Sequence, residues 1–326
     1  DEAEAASFLE ATASIYAHGG RIDWRRFHPG PRRRTSIPTY PWDRERHWLE
    51  ERRTGRRAPG SGHPILGEGR RSAVHPGTLS WEAEVSLEAV PWLADHRVEG
   101  AAVLPAAAMV EMALAAVPGG SLEAFAFERL LVVPDEGAAR VQVVVSPGTP
   151  GTLSFELYSA QEEAGATFGR HARGTLRPAA PGVGEPPRGP LTGARHVGGD
   201  DLYARAAAQG FDFGPAFRTV IAIEVGSREA AARIAGPERG RYVVHPALLD
   251  AAFQVVAEAA GPDGLYLPVG LERLAVHRSP GREARVRARI DESGPERYAG
   301  SFWIEDDLGV GVAGSGLGSR RVERAS

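Results

Sequence analysis

The 326-residue chain has no cysteine, and that removes disulfides, thiolate nucleophiles and thiolate metal ligands in one step. Lysine and asparagine are absent as well, so every basic side chain other than histidine is arginine. Codon bias in a GC-rich genome accounts for that, and it still excludes a Schiff-base lysine and a phosphate-loop lysine. No apolar run approaches the roughly 18 residues of a membrane-spanning helix, and no charged-then-apolar leader opens the chain. A cytoplasmic protein without membrane contact is therefore expected. Charge of one sign is lacking too: the formal net charge of −4 gives no reason to invoke nucleic acid. No H-E-x-x-H cluster, G-x-S-x-G elbow or G-x-G-x-x-G turn is present, so neither a metal site, a serine nucleophile of that type nor a dinucleotide fold is expected.

What is present reads as a globular protein. The hydrophobic fraction of 42% and charged fraction of 25% are ordinary, and the length suggests two packed units. The chain opens without methionine, in a helical pattern over residues 1–18, as an excised piece of something longer would. Residues 29–60 are rich in proline and arginine, with Tyr40, Trp42 and Trp48 as aromatic anchors. Interleaved acids (Asp43, Glu45, Glu50, Glu51) favour a linker lying along a neighbouring surface over a nucleic-acid arm.

From His63 onward, short alternating runs such as 78–86 and 141–145 read as strands bounded by Gly and Pro turns. Between these runs a segment over 105–117 is apolar nearly all round, with Glu111 its only polar residue, so it reads as a helix enclosed by a curved sheet. A Pro/Gly-rich tract over 177–199 interrupts all periodicity and reads as an interdomain linker. The theme then repeats: strands near 219–225 and 230–234, a buried helix over 246–260, and strands after Leu267. Arg285-Val286-Arg287-Ala288-Arg289-Ile290 alternates strictly, one face to water and one to the core, and 309–318 reads as a terminal strand with bulges.

Two titratable residues sit against those apolar helices. Asp250, Gln254 and Glu258 fall at i, i+4 and i+8, one polar stripe on an apolar cylinder, with Glu258 near enough to the helix end to reach solvent. Asp250 lies deeper, where a carboxyl is expected to show a raised pKa or a specific hydrogen bond. His96 precedes Gly100, which permits close backbone approach, and Pro105, which suits the first turn of the enclosed helix. Backbone N–H groups at such a helix start can bind a carbonyl oxygen acquiring negative charge. A buried acid and a buried base suggest proton transfer.

These residues resemble a known family, the dehydratase domains of bacterial modular type I polyketide synthases. His96 to Pro105 fits the family's H-x-x-x-G-x-x-x-x-P pattern, and Asp250 to Gln254 fits D-x-x-x-Q/H within His245-Pro246-Ala247-Leu248-Leu249-Asp250. Gly210-Phe211-Asp212-Phe213-Gly214-Pro215-Ala216-Phe217 is similar to G-Y-x-Y-G-P-x-F, and Leu267-Pro268-Val269 to the start of L-P-F-x-W. Upstream, Ile37-Pro38-Thr39-Tyr40-Pro41-Trp42-Asp43-Arg44-Glu45-Arg46-His47-Trp48 resembles the linker that follows an acyltransferase domain. Each pattern alone is weak, and their order and spacing together are specific. Two departures stand out. Phenylalanines at 211 and 213 replace both tyrosines, and Leu271 stands at the tryptophan position.

The resemblance implies an α+β double hotdog, two antiparallel sheets each wrapped around a long buried helix. The implied division is a post-acyltransferase linker over 1–60, an N-terminal hotdog over 61–178, a linker over 179–199 and a C-terminal hotdog over 200–326. It implies loss of water from a β-hydroxyacyl thioester to give an α,β-unsaturated thioester, with His96 as base and Asp250 as acid. The thioester carbonyl would meet a backbone N–H near Gly100, and Gln254 would orient Asp250. Val103, Leu104, Pro105, Phe213, Gly214, Pro215, Phe217, Leu267 and Pro268 would line the substrate. No cofactor bound by the domain is implied. The substrate would ride the phosphopantetheine arm of an acyl carrier protein, with neighbouring synthase domains and a second copy of the chain as partners. Two rivals remain: a dehydratase that also cyclises by oxa-Michael addition or moves the double bond, and a catalytically silent docking domain.

Overall fold

Alternation of β-branched and polar residues over most of the chain builds long antiparallel strands, and two apolar helices have nowhere to go but inside them. The computed structural model describes residues 2–27, 30–31, 62–160, 168–178, 184–261 and 263–323. The chain divides into two units, Asp1–Thr54 and Gly55–Ser326. In the first, helix α1 (Glu2–Ala17) is followed by a single turn α2 (Trp24–Phe27), with Phe8 stacked on Phe27 at 5.7 Å and Tyr16 edge-on to Trp24 at 5.1 Å. The acyltransferase-linker resemblance at 37–48, with the anchors Tyr40, Trp42 and Trp48, lies outside the described residues.

The second unit runs β1 (Glu68–Arg71), β2 (Leu79–Val85), β3 (His96–Val98), β4 (Ala101–Ala102), α3 (Ala106–Ala116), β5 (Ser121–Phe127), β6 (Ala139–Pro147), β7 (Leu153–Ala160) and β8 (Phe168–Arg177). It continues with β9 (Arg195–Gly198), α4 (Gly199–Ala208), β10 (Phe211–Phe213), β11 (Val220–Val225), β12 (Glu229–Ala235), α5 (Pro246–Ala260), β13 (Tyr266–Val276), β14 (Glu283–Ser293), β15 (Arg297–Asp306) and β16 (Gly309–Arg321). Thirteen strands form one continuous sheet in the order β1-β2-β6-β7-β8-β5-β13-β16-β15-β14-β12-β11-β9. The first six belong to the first half and the rest to the second. The two expected sheets are thus joined edge to edge by the antiparallel pair β5–β13, where Leu271 faces Phe125 and Leu274 faces Leu122.

Each half encloses its helix. Phe125, Val143, Phe155, Leu157 and Leu176 from the first sheet share one core with Met109, Val110 and Met112 of α3, and Ile234, Val286, Ile290, Phe302 and Ile304 share the same core with Leu249, Val255 and Val256 of α5. The two helices also pack on each other, which the alanine-rich face of α3 permits. On α5, Pro246 occupies the first turn, His245 Nδ1 accepts the Ala247 N–H at 3.2 Å, and Gly261 in the left-handed conformation ends the helix. Strand β14 keeps the expected alternation, with Val286, Ala288 and Ile290 inward.

The expected linker over 179–199 is shorter in the structure, because residues 195–198 form edge strand β9 against β11 and helix α4 begins at Gly199. Only Val197 of β9 is buried, so no alternation announces the strand. The stretch before it is strapped to the outer face of the second sheet, where Trp303 Nε1–H donates to the Gly184 carbonyl at 2.6 Å and Arg287 to that of Gly189 at 2.9 Å.

Candidate active site

A separate three-stranded ribbon, β10-β3-β4, carries His96. A 3₁₀ turn over Pro91–Asp95 delivers the chain to β3, which pairs with β4 of its own half and with β10 of the other half. His96 stands opposite Phe213 in that pairing, so both halves hold its backbone. Its imidazole is buried between the rings of Phe213 and Phe217, at centroid distances of 5.6 and 5.0 Å. Nδ1 lies 3.1 Å from the Val103 carbonyl, which can only accept, so Nδ1 carries the proton and Nε2 is the basic nitrogen. Burial pulls the imidazole pKa below its usual 6.5, against the opposing field of Asp250.

Asp250 sits on the second turn of α5, also buried. Burial pushes its carboxyl pKa above 3.8, opposed by His96 and by a hydrogen bond from Gln254, whose Nε2–H donates to Oδ2 at 2.9 Å. Each group is thus the principal charge felt by the other. Desolvation outweighs their attraction in both and favours neutral imidazole facing protonated carboxyl. Glu258, two turns beyond Asp250, does not simply reach water, because Arg205 of α4 pairs with it at 2.6 Å.

The expected lining residues divide. Val103 joins Val98, Leu265, Phe211 and Leu267 in a small apolar cluster beside the ribbon, while Leu104 is buried in the main core. Pro105 is buried at the N-cap of α3, one residue before the first turn it was expected to occupy. Pro268 is half-buried on β13, opposite Ser319. Pro215 is exposed, because Gly214 to Arg218 form a turn and Pro215 takes its outer corner. Gly100 is exposed at the tip of the β3–β4 hairpin with φ +80°, next to Glu99 at φ 49°, as a two-residue hairpin turn requires. A Cβ there would meet no protein atom within 4 Å, so within the protein itself the need for glycine is conformational.

Two residues of the site carry no sequence signal of their own. Asp95 accepts the Ala216 N–H at 2.8 Å through Oδ2 and the Gly214 N–H at 2.8 Å through its backbone carbonyl, fixing the turn that bears Phe213 and Phe217. Gly214 is needed there, since a Cβ would fall 2.3 Å from Asp95 Oδ1. Tyr203 of α4 reaches Gln254 Oε1 at 3.2 Å. Only the fold brings either one to the site.

Sequence and structure comparisons agree with this fold. The family described as "Polyketide synthase dehydratase domain" matches residues 63–160, and "Polyketide synthase dehydratase N-terminal domain" matches 184–326. The spectinabilin polyketide synthase system protein NorB of Streptomyces orinoci is 35% identical over 336 residues, 96% of this chain and 15% of that protein. The mycoketide-CoA synthase of Mycobacterium tuberculosis is 34% identical over 94% of this chain and 8% of its own length. The chain therefore spans only a small part of these large relatives. Among solved structures, the dehydratase domain of a mycocerosic acid synthase-like polyketide synthase is 30% identical, with a TM-score of 0.70 over 80% of this chain and 98% of that one. The dehydratase domain from the CurF module of curacin polyketide synthase is 25% identical, with a TM-score of 0.72 over 80% of this chain and 99% of that one. An imidazole and a carboxyl from opposite halves of a double hotdog, and these likenesses over nearly the whole chain, lead to one assignment: the chain belongs to the dehydratase domains of bacterial modular type I polyketide synthases.

Proposed function

We propose that His96 and Asp250 are the catalytic base and acid with which this dehydratase domain removes water from a β-hydroxyacyl thioester. The carrying observation is the buried pair itself, one imidazole and one carboxyl from different halves, with burial favouring the neutral form of each. His96 Nε2 takes the proton alpha to the thioester carbonyl. The electron pair left on the α-carbon forms the double bond to the β-carbon. As the β-carbon–oxygen bond breaks, Asp250 protonates the leaving hydroxyl and water departs. The imidazolium and carboxylate left behind face each other, and return of one proton from His96 to Asp250 restores the starting pair. A backbone N–H near Gly100 receives the carbonyl oxygen as charge develops there, and Gln254 orients the acid.

Membership of a modular synthase family supports a substrate delivered on the phosphopantetheine arm of an acyl carrier protein, with other synthase domains as neighbours. Work as a cytoplasmic homodimer completes this reading. No described helix is long and apolar enough to cross a membrane. Within the chain, residues 61–178 and, counting edge strand β9, 195–326 make up the two hotdogs of this reading, preceded by a post-acyltransferase linker.

The test is turnover of synthetic β-hydroxyacyl thioesters, both epimers, followed by mass spectrometry. The intact chain is expected to lose water from the substrate, and His96→Ala and Asp250→Asn to lower kcat by about 10² to 10⁴-fold while remaining folded. Wild-type-like turnover in either variant overturns the assignment.

A further inference from the structure

We infer that Tyr203 is a positioning residue for dehydration, holding the Gln254 amide in the one orientation that keeps the Asp250 proton turned toward substrate. The inference rests on the assignment of Asp250 as the acid.

The argument is a count of donors and acceptors in a buried space. Tyr203 is buried on α4, and its oxygen accepts the Val220 N–H at 2.9 Å. That leaves one phenolic hydrogen, with two acceptors at 3.2 Å, Gln254 Oε1 and the Phe217 carbonyl, and the buried Thr219 hydroxyl also bears on the Tyr203 oxygen. Gln254 carries two amide hydrogens, placed toward Asp250 Oδ2 at 2.9 Å and the Phe217 carbonyl at 3.3 Å. A reversed amide would set Oε1 against the Phe217 carbonyl, oxygen to oxygen, and would deprive Tyr203 of an acceptor. The hydroxyl and the Phe217 carbonyl therefore act together to hold the amide with its N–H groups toward Asp250. Because Oδ2 accepts an N–H, the carboxylic proton sits on the other oxygen, Oδ1.

The surroundings hold this hydroxyl in place. The Arg218 guanidinium lies over the Tyr203 ring, 5.6 Å from its centroid, and donates to the Phe213 carbonyl at 2.9 Å. The Phe213 ring stands edge-on to Tyr203 at 6.0 Å. Phe213 is a position where the family pattern carries tyrosine, so in this chain a hydroxyl enters the acid's network from α4. The charged and titratable groups bearing on Asp250 are His96 from the ribbon, Tyr203 and, behind it, Arg218, with the Glu258–Arg205 pair two turns further along α5.

Tyr203→Phe removes only the hydroxyl. A freed amide can present Oε1 to Asp250, accept its proton and withhold it from substrate. The carboxylate also loses a donor, which raises the pKa of the acid. In the full chain, with a β-hydroxyacyl thioester of N-acetylcysteamine, Y203F is expected to lower kcat roughly tenfold, leave KM within about twofold and move the alkaline limb of the kcat profile upward. If Tyr203 acts through Gln254, Y203F adds little to Gln254→Ala in the double variant. Unchanged kcat in a folded Y203F, a loss with an unmoved alkaline limb, or additivity with Q254A overturns the inference. Should Y203F not fold, ¹⁵N spectra of the wild type decide. Two distinct, exchange-protected Gln254 amide protons that titrate with the alkaline limb support the lock, and a freely rotating amide overturns it. H96A and D250N run alongside: if they stay active, the acid–base assignment fails first, and if they are inactive while Y203F is unaffected, only this inference fails.

Discussion

At the scale of single residues, the site depends on groups that would be costly to bury anywhere else in the protein. In the proposed mechanism His96 must be neutral to act as base and Asp250 protonated to act as acid. Burial lowers the first pKa below 6.5 and raises the second above 3.8. The expected kcat profile is therefore bell-shaped, its acidic limb below pH 6.5 and its alkaline limb above the ordinary carboxylate range, both belonging to the coupled pair. A profile falling toward acid with a midpoint above 6.5 contradicts the burial argument. Glu111 is a second buried acid with a different task. Its oxygens accept the Val243 and Val244 N–H groups, and His63 Nε2 lies 3.0 Å away, so α3 holds the segment that leads into His245 and α5. Glu111→Ala leaves two backbone donors without their acceptor and is expected to cost about 3 kcal/mol in chemical denaturation, Gln recovering part of it. His96, Asp250 and Glu111 were legible because a charge in an apolar stretch is conspicuous in one dimension. Asp95 and Tyr203 were not. Their importance comes from hydrogen bonds to residues distant in the chain, and an ordinary polar residue beside a helix gives no hint of them.

At the scale of elements, the turn between β15 and β16 shows how a short connection is secured. Arg278 reaches both carboxyl oxygens of Asp306, at 2.5 and 2.6 Å, and the Gly281 and Leu308 N–H groups donate to the same carboxylate at 2.9 Å. The hydrogen bonds from Arg278 hold the Asp306 pKa far below its usual value. A depressed carboxylate contributes stability that is fully present above its unfolded pKa of 3.8 and is lost as pH falls through the folded value. Asp306→Asn is expected to lower Tm at pH 7 and to narrow the difference from wild type as the pH drops below 4, measured by thermal melts across pH. Long elements with strong periodicity were legible: α3, α5, β6 and β14 fall where their patterns place them. Strand β9 was hidden inside a glycine-rich tract, because it buries one side chain and derives its strand character from pairing with β11, and α4 begins at the last residue of that tract, Gly199. The ribbon β10-β3-β4 was invisible for a related reason. Two- and three-residue strands carry no period.

At the scale of the molecule, two hotdogs share one sheet and one apolar core. The β5–β13 seam and the α3–α5 contact make independent melting of the halves costly, so the unit from residue 55 onward is expected to unfold in a single calorimetric transition with equal calorimetric and van't Hoff enthalpies. Two resolved transitions would show that the seam is weaker than its pairing suggests. The double architecture was legible as a repeated theme of strands and an enclosed helix, while the merging of its sheets was not, since a strand does not reveal its neighbour in sequence. The pairing of β3 with β10 has a practical corollary for recombining such enzymes. A chimera spliced in the tract between the two helices would inherit its imidazole from one parent and the strand that braces it from the other. Swapped products should turn over well only when residues 96–98 and 211–213 travel together, so the unit of exchange in this fold is the ribbon and not the half.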